Sequence, residues 1–387
     1  MLWPRVARAQ DESSPWMLMS DGVLFATVNH QGGPRGGDEI LSTNWWMGMA
    51  SRSAGRGQLT LTGMLSLDPA TATARGYREI FQAGESYKGL PIVDRQHPHD
   101  LIMQAAVLWR VPIDYQTGFT IAAAPVGEPA LGPTAFMHRP SAAENPAAPL
   151  GHHTLDSTHI AMGVISVALD HGPFTLETSL FNGREPDDNR WDVMDPGALD
   201  SWSVREWYEP SPAWQFQVSH GLLKQPEAGE PGDIRRTTAS ASWLGRRADG
   251  FMAATIAVGR NDTSHGAFHA LLAEGTVKRG RMSFYGRLEL AQKETGLLAD
   301  QSTPGTGIPL DARSGVTALT LGTVRDVARW RSFEIGVGGD VTGYRVPDTL
   351  QPSYGSHPTS FHLFLRVRPP AGHMGRMWNM RMTRPMQ

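Results

Sequence analysis

Hydrophobic and polar residues alternate over long stretches of the second half of the chain. From Trp214 to Val218, large apolar side chains occupy every second position and glutamine occupies the positions between them. A period of two predicts β-strands that have one apolar and one polar face. The same alternation recurs over residues 174–180, 282–290, 333–341 and 361–368.

Short polar or glycine-containing segments separate these strands and predict hairpin turns. They lie at residues 170–173, 246–250, 278–280 and 325–329. Several of the strands are about 10 to 13 residues long, which exceeds the usual 5 to 6 and matches the 9 to 11 that cross a bilayer at a tilt. Long strands joined by hairpins therefore predict an all-β protein, an antiparallel up-and-down transmembrane β-barrel of about 12 to 16 strands with long loops.

The alternation alone is also compatible with a soluble β-sandwich, which would bury the apolar face. In a membrane barrel the apolar face contacts outer-membrane lipid and the ionisable face surrounds a wet lumen. We expect the charged segment 181–190, part of the loop 182–199, to narrow that lumen; a calcium site and a solvated, salt-bridged turn are alternative interpretations. The charged residues expected to line the pore are Glu177, Arg184, Glu185, Asp187, Arg287, Glu289, Glu334 and Arg366.

The first half of the chain is less regular. Strands are predicted over 22–30, 44–51, 58–67 and 79–87, whereas 100–109 is compatible with either a strand or a short helix. A Pro-, Ala- and Gly-rich stretch from 125 to 155 predicts a long functional loop. We expect a residual leader segment at 1–15, a barrel over 16–370 and a Met-rich tail at 371–387.

Composition excludes several classes of protein. The net charge of −3 argues against a nucleic-acid partner. Cysteine is absent, which removes disulfides and thiolate sites. No apolar run approaches the roughly 20 residues of a membrane helix. Ala7-Arg8-Ala9 has the small-x-small form of a signal-peptidase site, which together with the fold predicts export to the bacterial outer membrane.

Six of the fourteen histidines lie between positions 97 and 159. Histidine is the commonest protein ligand for transition metals, and His97 and His99 would share one face of a strand. The window therefore predicts a site for copper or zinc, with turn capping by metal-free histidines as the alternative. Its candidate ligands are His97, His99, Asp100, His138, His152, His153, Asp156 and His159.

Methionines cluster near the C-terminal end at Met374, Met377, Met380, Met382 and Met386. Thioethers are soft ligands that suit Cu(I). The alternative is adaptable packing beside an interfacial belt of tryptophans. The tail follows the last clear strand, so it could plug the barrel or fold back on it.

The segments 94–100 (DRQHPHD), 127–133 (GEPALGP) and 181–187 (FNGREPD) resemble an uncharacterised family of bacterial envelope β-barrels. The resemblance extends over nearly all of the chain from Trp16 onward. Some relatives accompany heavy-metal or copper resistance genes, so the resemblance implies a role in metal handling. It implies no catalytic residues.

Three functions are compatible with these features. The first is a porin-like barrel that binds or passes a small solute, a transition-metal ion at the histidine window. The second is a metal-dependent oxidoreductase or hydrolase that uses the same histidines with Asp100 or Asp156 as a nearby carboxylate. The third is a structural barrel without a site.

Overall fold

Sixteen antiparallel strands close into a single barrel in the computed structural model, which describes residues 16–227, 232–299, 309, 311–369 and 378–384. Each barrel strand pairs with its neighbours along the chain, and β1 pairs with β18 to close the ring. The fold predicted from the alternation is confirmed. The strands are β1 (Met17–Gln31), β2 (Gly37–Ala54), β3 (Gly57–Leu65), β4 (Tyr77–Tyr87), β5 (Leu90–Gln96), β6 (Ile102–Pro112), β7 (Thr117–Gly127), β8 (Ala161–His171), β9 (Phe174–Asn182), β10 (Ser201–Ser211), β11 (Trp214–Leu223), β12 (Ile234–Arg247), β13 (Gly250–Thr263), β14 (Gly266–Arg279), β15 (Met282–Glu294), β16 (Arg313–Trp330), β17 (Phe333–Arg345) and β18 (Thr359–Arg368).

Helices are short and lie in the connections. β4 and β5 form a separate two-stranded sheet inserted between β3 and β6. In the described part of the chain, no helix has the length and apolar character needed to span a membrane. The four-residue helices are α1 (Asp68–Thr71), α2 (His152–Leu155), α3 (Thr295–Leu298) and α4 (Gln351–Tyr354), and 3-10 turns lie at Phe136–His138, Pro140–Ala142 and Ser157–His159.

The apolar face of the strands points outward. Val218, Leu321 and Leu363 are 58%, 62% and 58% exposed, whereas the intervening Gln217 and Ser219 are buried. Contact between such a large aliphatic surface and water is unfavourable. In a membrane β-barrel, lipid covers this surface. The soluble sandwich interpretation is therefore wrong, and the chain is a membrane β-barrel.

Aromatic side chains gather near one end of the outward face. Phe174 stacks on Tyr208 with ring centres 4.8 Å apart, and Trp214 stacks on Phe216 at 5.7 Å. These rings lie beside the two-residue turns 172–173 and 212–213. Aromatic girdles mark the interfaces between membrane and water, so this end of the barrel meets one face of the bilayer.

The two ends of the barrel differ in their connections. The turns at one end are short, such as 55–56, 172–173 and 331–332, whereas the other end carries the loops 66–101 and 128–160. The second of these, here called the plug loop (128–160), folds into the barrel. It was predicted as the long loop 125–155.

Contacts of the plug loop reach several walls of the lumen. Its backbone N–H groups at Ala130 and Gly132 donate to Ser179 of β9 (2.8 Å) and Ser219 of β11 (2.9 Å). On the other side, the Arg287 guanidinium of β15 donates to the carbonyl of Ala147 (2.9 Å). The plug loop therefore occupies much of the space that the sequence predicted as a wet lumen.

One predicted turn is displaced. The segment 325–329 is not a hairpin connection, because β16 continues to Trp330 and the turn follows at 331–332. The register of β16 shifts between Asp326 and Ala328, where one extra residue forms a bulge. Asp326 there forms an ion pair with Lys278. The charge of Asp326 therefore belongs to the polar face of a strand. The segment predicted as a turn is a β-bulge within β16. The ambiguous segment 100–109 belongs mainly to strand β6.

The described part of the tail, residues 378–384, lies inside the barrel. Arg381 is buried and its guanidinium donates to the Glu177 carboxylate of β9 (3.0 Å). Met380 and Met382 are also buried. The predicted leader 1–15 and residues Met374, Met377 and Met386 lie outside the described residues.

Candidate functional site

Five of the six histidines in the window meet at the loop-bearing end of the barrel. His152 lies at the centre: its ring centre is 5.9 Å from that of His97, 5.3 Å from His153 and 5.2 Å from His159. His97 and His153 lie 5.3 Å apart, and His99 lies 5.7 Å from His159. We call these five residues the histidine cluster.

Two separate loops bring the histidine cluster together. His97 and His99 follow β5, and Pro98 between them restricts the backbone to a φ of about −65° at that position. His152 and His153 begin α2 in the plug loop. Gly84 of β4 permits the close approach of the His153 ring, because a Cβ at that position would lie 2.4 Å from the ring. The φ of Gly84 is +147°, which also favours glycine.

Each anchored ring in the cluster uses its Nδ1 atom. The Nδ1 atom of His152 hydrogen-bonds a carboxylate oxygen of Asp156 (2.7 Å), and that of His159 hydrogen-bonds the backbone oxygen of Asp156 (2.8 Å). A hydrogen bond of this kind fixes the ring orientation and leaves Nε2 as the available ligand atom. The two remaining anchors are Asp68, 2.8 Å from His99, and Glu85, 3.1 Å from His97.

The Nε2 atoms of His97, His152 and His159 are buried and have no hydrogen-bond partner among the described residues. Burial lowers the pKa of all three rings below the ordinary histidine value, and the neighbouring histidines lower the pKa of His97 and His159 further. The rings are therefore neutral at pH 7. A neutral imidazole with a free, buried nitrogen has a lone pair directed at no partner.

The other three candidate ligands lie outside the cluster of rings. His138 lies against Trp45, with ring centres 4.9 Å apart. Asp100 pairs with Arg190 at 3.2 Å. Asp156 lies behind His152 and hydrogen-bonds its ring. Burial acts to raise the pKa of Asp156, but Arg139 at 2.5 Å outweighs burial, so the pKa of Asp156 lies well below its usual range. Both carboxylates that the enzyme hypothesis requires are therefore held by arginines.

Among the described residues, no three His, Asp or Glu side chains are arranged to hold one metal ion. The rings of the histidine cluster share a neighbourhood, but their donor atoms do not converge on one point. Coordination would require the imidazoles to turn about their side-chain bonds. The hydrogen bonds to Nδ1 limit that movement to small rotations.

The predicted pore-lining residues of the strands face inward but engage protein partners. Glu177 accepts hydrogen bonds from Arg205 (2.7 Å) and Arg381. Arg287 donates to Glu274 (3.1 Å), and Arg366 pairs with Glu144 of the plug loop. Glu289 accepts weakly from the Gly151 N–H (3.4 Å). These charges therefore bind the plug loop and tail.

The remaining predicted residues lie near the two ends of the barrel. Arg184 pairs with Asp200 at 2.8 Å, and the Glu185 carboxylate is 3.8 Å from His153. Asp187 is exposed and accepts a hydrogen bond from the backbone of Asn189 (2.8 Å). Glu334 lies near the short turn 331–332 and pairs with Arg329 at 3.2 Å.

Arg139 is a functional residue that the sequence did not reveal. It is fully buried and joins Asp156 to Glu274 on β14, at 2.5 and 2.7 Å. The sequence signal was its place in the segment 136–139 (FMHR), next to His138, which gave no indication of this role. Its role depends on a partner 135 positions away.

Comparison with known proteins agrees with the architecture. No model of a known protein family matches the chain, and no curated protein matches it in sequence. The barrel is similar to OmpTdeltaL8, a loop-deletion mutant of the Vibrio cholerae outer membrane protein OmpT, with a TM-score of 0.54 at 10% identity over 91% of this chain and 99% of that one. It is also similar to an anion-selective porin from Comamonas acidovorans, with a TM-score of 0.54 at 11% identity over 92% of this chain and 100% of that one. Outer-membrane expressed OmpT of Vibrio cholerae gives a TM-score of 0.50 at 8% identity, over 93% and 99% of the two chains.

At such low identity the likeness concerns the fold alone. The prediction of an outer-membrane type of barrel is confirmed: the chain forms a closed, porin-like β-barrel that resembles bacterial outer-membrane proteins.

Proposed function

We propose that this chain is an outer-membrane, porin-like barrel that binds a transition-metal ion, copper or zinc, at the histidine cluster and admits it through the loop-bearing end. The observation that supports this proposal is the set of buried, unpartnered Nε2 atoms of His97, His152 and His159. A buried polar atom without a partner is unfavourable by about 1–3 kcal/mol. A bound metal ion would remove that penalty at all three positions together.

The spacing of the rings supports the same proposal. Imidazoles that share one tetrahedral ion, with metal–nitrogen bonds of about 2 Å, have ring centres roughly 5 Å apart. The rings of His97, His152 and His153 are separated by 5.3–5.9 Å. Coordination would require these rings to approach slightly and to turn, and the Nδ1 bonds of His97 and His152 restrict that turning to small rotations.

Carboxylates lie directly behind three of the rings, Asp68 behind His99, Glu85 behind His97 and Asp156 behind His152. Glu85 and Asp156 also pair with Arg190 and Arg139, so Asp68 favours a cation most directly. In barrels of this type the long loops face the cell exterior and the short turns face the periplasm. The histidine cluster would therefore meet an incoming ion first.

Metal content is the direct test. The full chain, purified in detergent and dialysed separately against Zn(II) and Cu(II), is expected to retain about one ion per chain by elemental analysis. His97→Ala combined with His152→Ala should abolish retention, because two of the free nitrogens are removed. A matched control replaces the exposed His171 and His269 by alanine and should retain metal as the wild type does.

Passage is tested in vesicles that enclose a zinc-sensitive dye. Wild-type barrels should admit zinc faster than the His97→Ala, His152→Ala variant. The binding proposal is overturned by wild-type protein that retains no stoichiometric metal, or by a cluster variant that retains as much as the control. Equal rates of dye response in both proteins would overturn the claim of passage through the cluster.

A further inference from the structure

Methionines from four chain segments meet inside the barrel, in a sector separate from the histidine cluster. Met47 and Met49 come from β2, Met64 from β3, Met103 from β6 and Met380 from the tail, and each is 3% exposed or less. We call these five residues the methionine chamber. Met19 of β1 and Met137 of the plug loop pack against it.

The strand register places the methionine side chains next to each other. Met47 lies directly opposite Met64 on the neighbouring strand, and Met49 lies directly opposite Met19. Residues opposite each other on antiparallel strands have Cβ atoms about 4.5–5.5 Å apart. Flexible thioether side chains at that spacing can bring their sulfur atoms to one ion.

The composition of this sector differs from that of the remaining lumen wall. The inward positions of β9 and β11 carry serine, threonine, glutamine and glutamate, such as Ser179 and Gln217. A barrel that only needed to fill space could use leucine here, as it does in the buried cluster around Leu150 and Leu298. The sulfur atoms therefore distinguish this sector both from the polar lumen wall and from the leucine-filled cluster.

A buried polar atom without a partner lies next to this sector. His138 is buried, and its Nδ1 atom has no hydrogen-bond partner in the described ranges. Its ring lies edge-on to Trp45, which packs against the methionine chamber. The backbone N–H of Asn379 donates to the carbonyl of His138 at 2.8 Å, and this bond brings the adjacent Met380 to the same point.

A small cavity lies between His99 and two residues that pack against the methionine chamber, Trp45 and Met137. It has a volume of about 40 Å³ and is lined by His99, Phe136, Met137 and Trp45, among others. The volume is sufficient for one water molecule or a bare monovalent ion. The aromatic face of Trp45 in its wall is a favourable surface for a cation.

We propose that the methionine chamber, together with His138, binds a soft monovalent cation of the Cu(I) or Ag(I) class. Thioethers select soft ions over the harder divalent ones, and His138 supplies one nitrogen donor to a sulfur-rich set. This site goes beyond the function proposed above, because it uses different residues and a different class of ion. It does not require the histidine cluster to bind metal.

The test uses Ag(I), which undergoes no redox change, on the full chain in detergent. Wild-type protein should bind about one Ag(I) per chain, with sulfur in the first coordination shell by X-ray absorption. Met47→Leu combined with Met64→Leu removes two sulfur atoms with little change in packing volume. We expect this variant to bind Ag(I) at least tenfold more weakly and to lose much of the sulfur signal.

Two controls separate this site from packing effects and from the histidine cluster. Met162→Leu replaces a buried methionine of β8 outside the chamber and should bind Ag(I) as the wild type does. His97→Ala with His152→Ala should leave the silver–sulfur signal unchanged, whatever its effect on Zn(II). An unchanged Ag(I) affinity in the Met47→Leu, Met64→Leu variant, or absence of Ag(I) binding in the wild type, would show that the methionines only pack.

Discussion

Arg139 joins the plug loop to a carboxylate of the barrel wall, and replacing it by methionine should weaken the docking of the loop. The guanidinium donates to Glu274 of β14 (2.7 Å), to Asp156 (2.5 Å) and to the backbone of Thr134 (2.9 Å), and the side chain is 1% exposed. Methionine fills a similar volume without the charge. The two carboxylates would then be left in a buried environment without their shared cation.

The magnitude follows from what each carboxylate retains. Removing one partner of a buried ion pair destabilises by about 3–5 kcal/mol. Glu274 keeps Arg287 at 3.1 Å and Asp156 keeps His152 at 2.7 Å, so the lower limit applies. A change of about 3 kcal/mol raises the ratio of undocked to docked plug by roughly a hundredfold.

Single-channel recording in planar bilayers measures this ratio directly as the fraction of time in a high-conductance state. Arg139→Met should raise that fraction by about two orders of magnitude. The control, Arg184→Met, removes an ion pair in which both side chains are 35% exposed. A pair with that exposure contributes about 0–1 kcal/mol, so the control should resemble the wild type.

A second variant distinguishes release of the plug loop from misfolding of the barrel. Adding Asp156→Asn to Arg139→Met removes one of the stranded carboxylates and should bring the open fraction part of the way back. If Arg139→Met conducts no more than Arg184→Met while the barrel still shows heat-modifiable migration on gels, the reasoning about the plug is refuted.

The lipid-facing surface, the acid response of the plug and metal loading each give a further test. Val218→Arg places a charge on the outward face of β11 and should lower the unfolding free energy in lipid vesicles by about 2–4 kcal/mol if the residue lies near the bilayer midplane, whereas Val218→Leu should have little effect. Burial acts to raise the pKa of Glu144, but Arg366 and a neighbouring arginine outweigh burial and lower the pKa to about 2. The stabilisation by ionised Glu144 is therefore complete above pH 4.5, the ordinary glutamate value. It is lost as the pH falls through about 2. The midpoint temperature of heat modification should fall for the wild type over that pH range and change less for Glu144→Gln. If the two proteins gave parallel curves of midpoint against pH, the role assigned to Glu144 would be contradicted. Zinc at 100 times its dissociation constant should add about 2.7 kcal/mol to the unfolding free energy of the wild type and nothing to His97→Ala with His152→Ala, and an equal gain in both proteins would place zinc elsewhere.

The strands were predictable because their signal is local. In β11, every apolar side chain that contacts lipid is two positions from the next, and burial follows the same period. The end of β16 was not predictable in this way. A bulge at 326–328 interrupts its period, and the purpose of Asp326 is evident only from its partners Lys278 and Arg366.

The candidate site was predictable only in part. The close spacing of histidines along the chain indicated the cluster, and five of the six do meet. His138 separates from them because the 3-10 turn Phe136–His138 directs it to Trp45. The anchoring carboxylates Asp68 and Glu85 lie well before His99 and His97 in the same connection, 66–101, and sequence spacing carries no information about such contacts.

The pairing of β1 with β18 sets the order in which this protein can assemble. Leu24 lies opposite Val367 and His30 opposite Phe361, so the seam joins residues more than 300 positions apart. Until the last strand has been synthesised, two unpaired strand edges remain, and such edges invite aggregation. Both edges therefore stay exposed until β18 reaches β1, and premature termination upstream of β18 would yield an open sheet in place of a shortened pore.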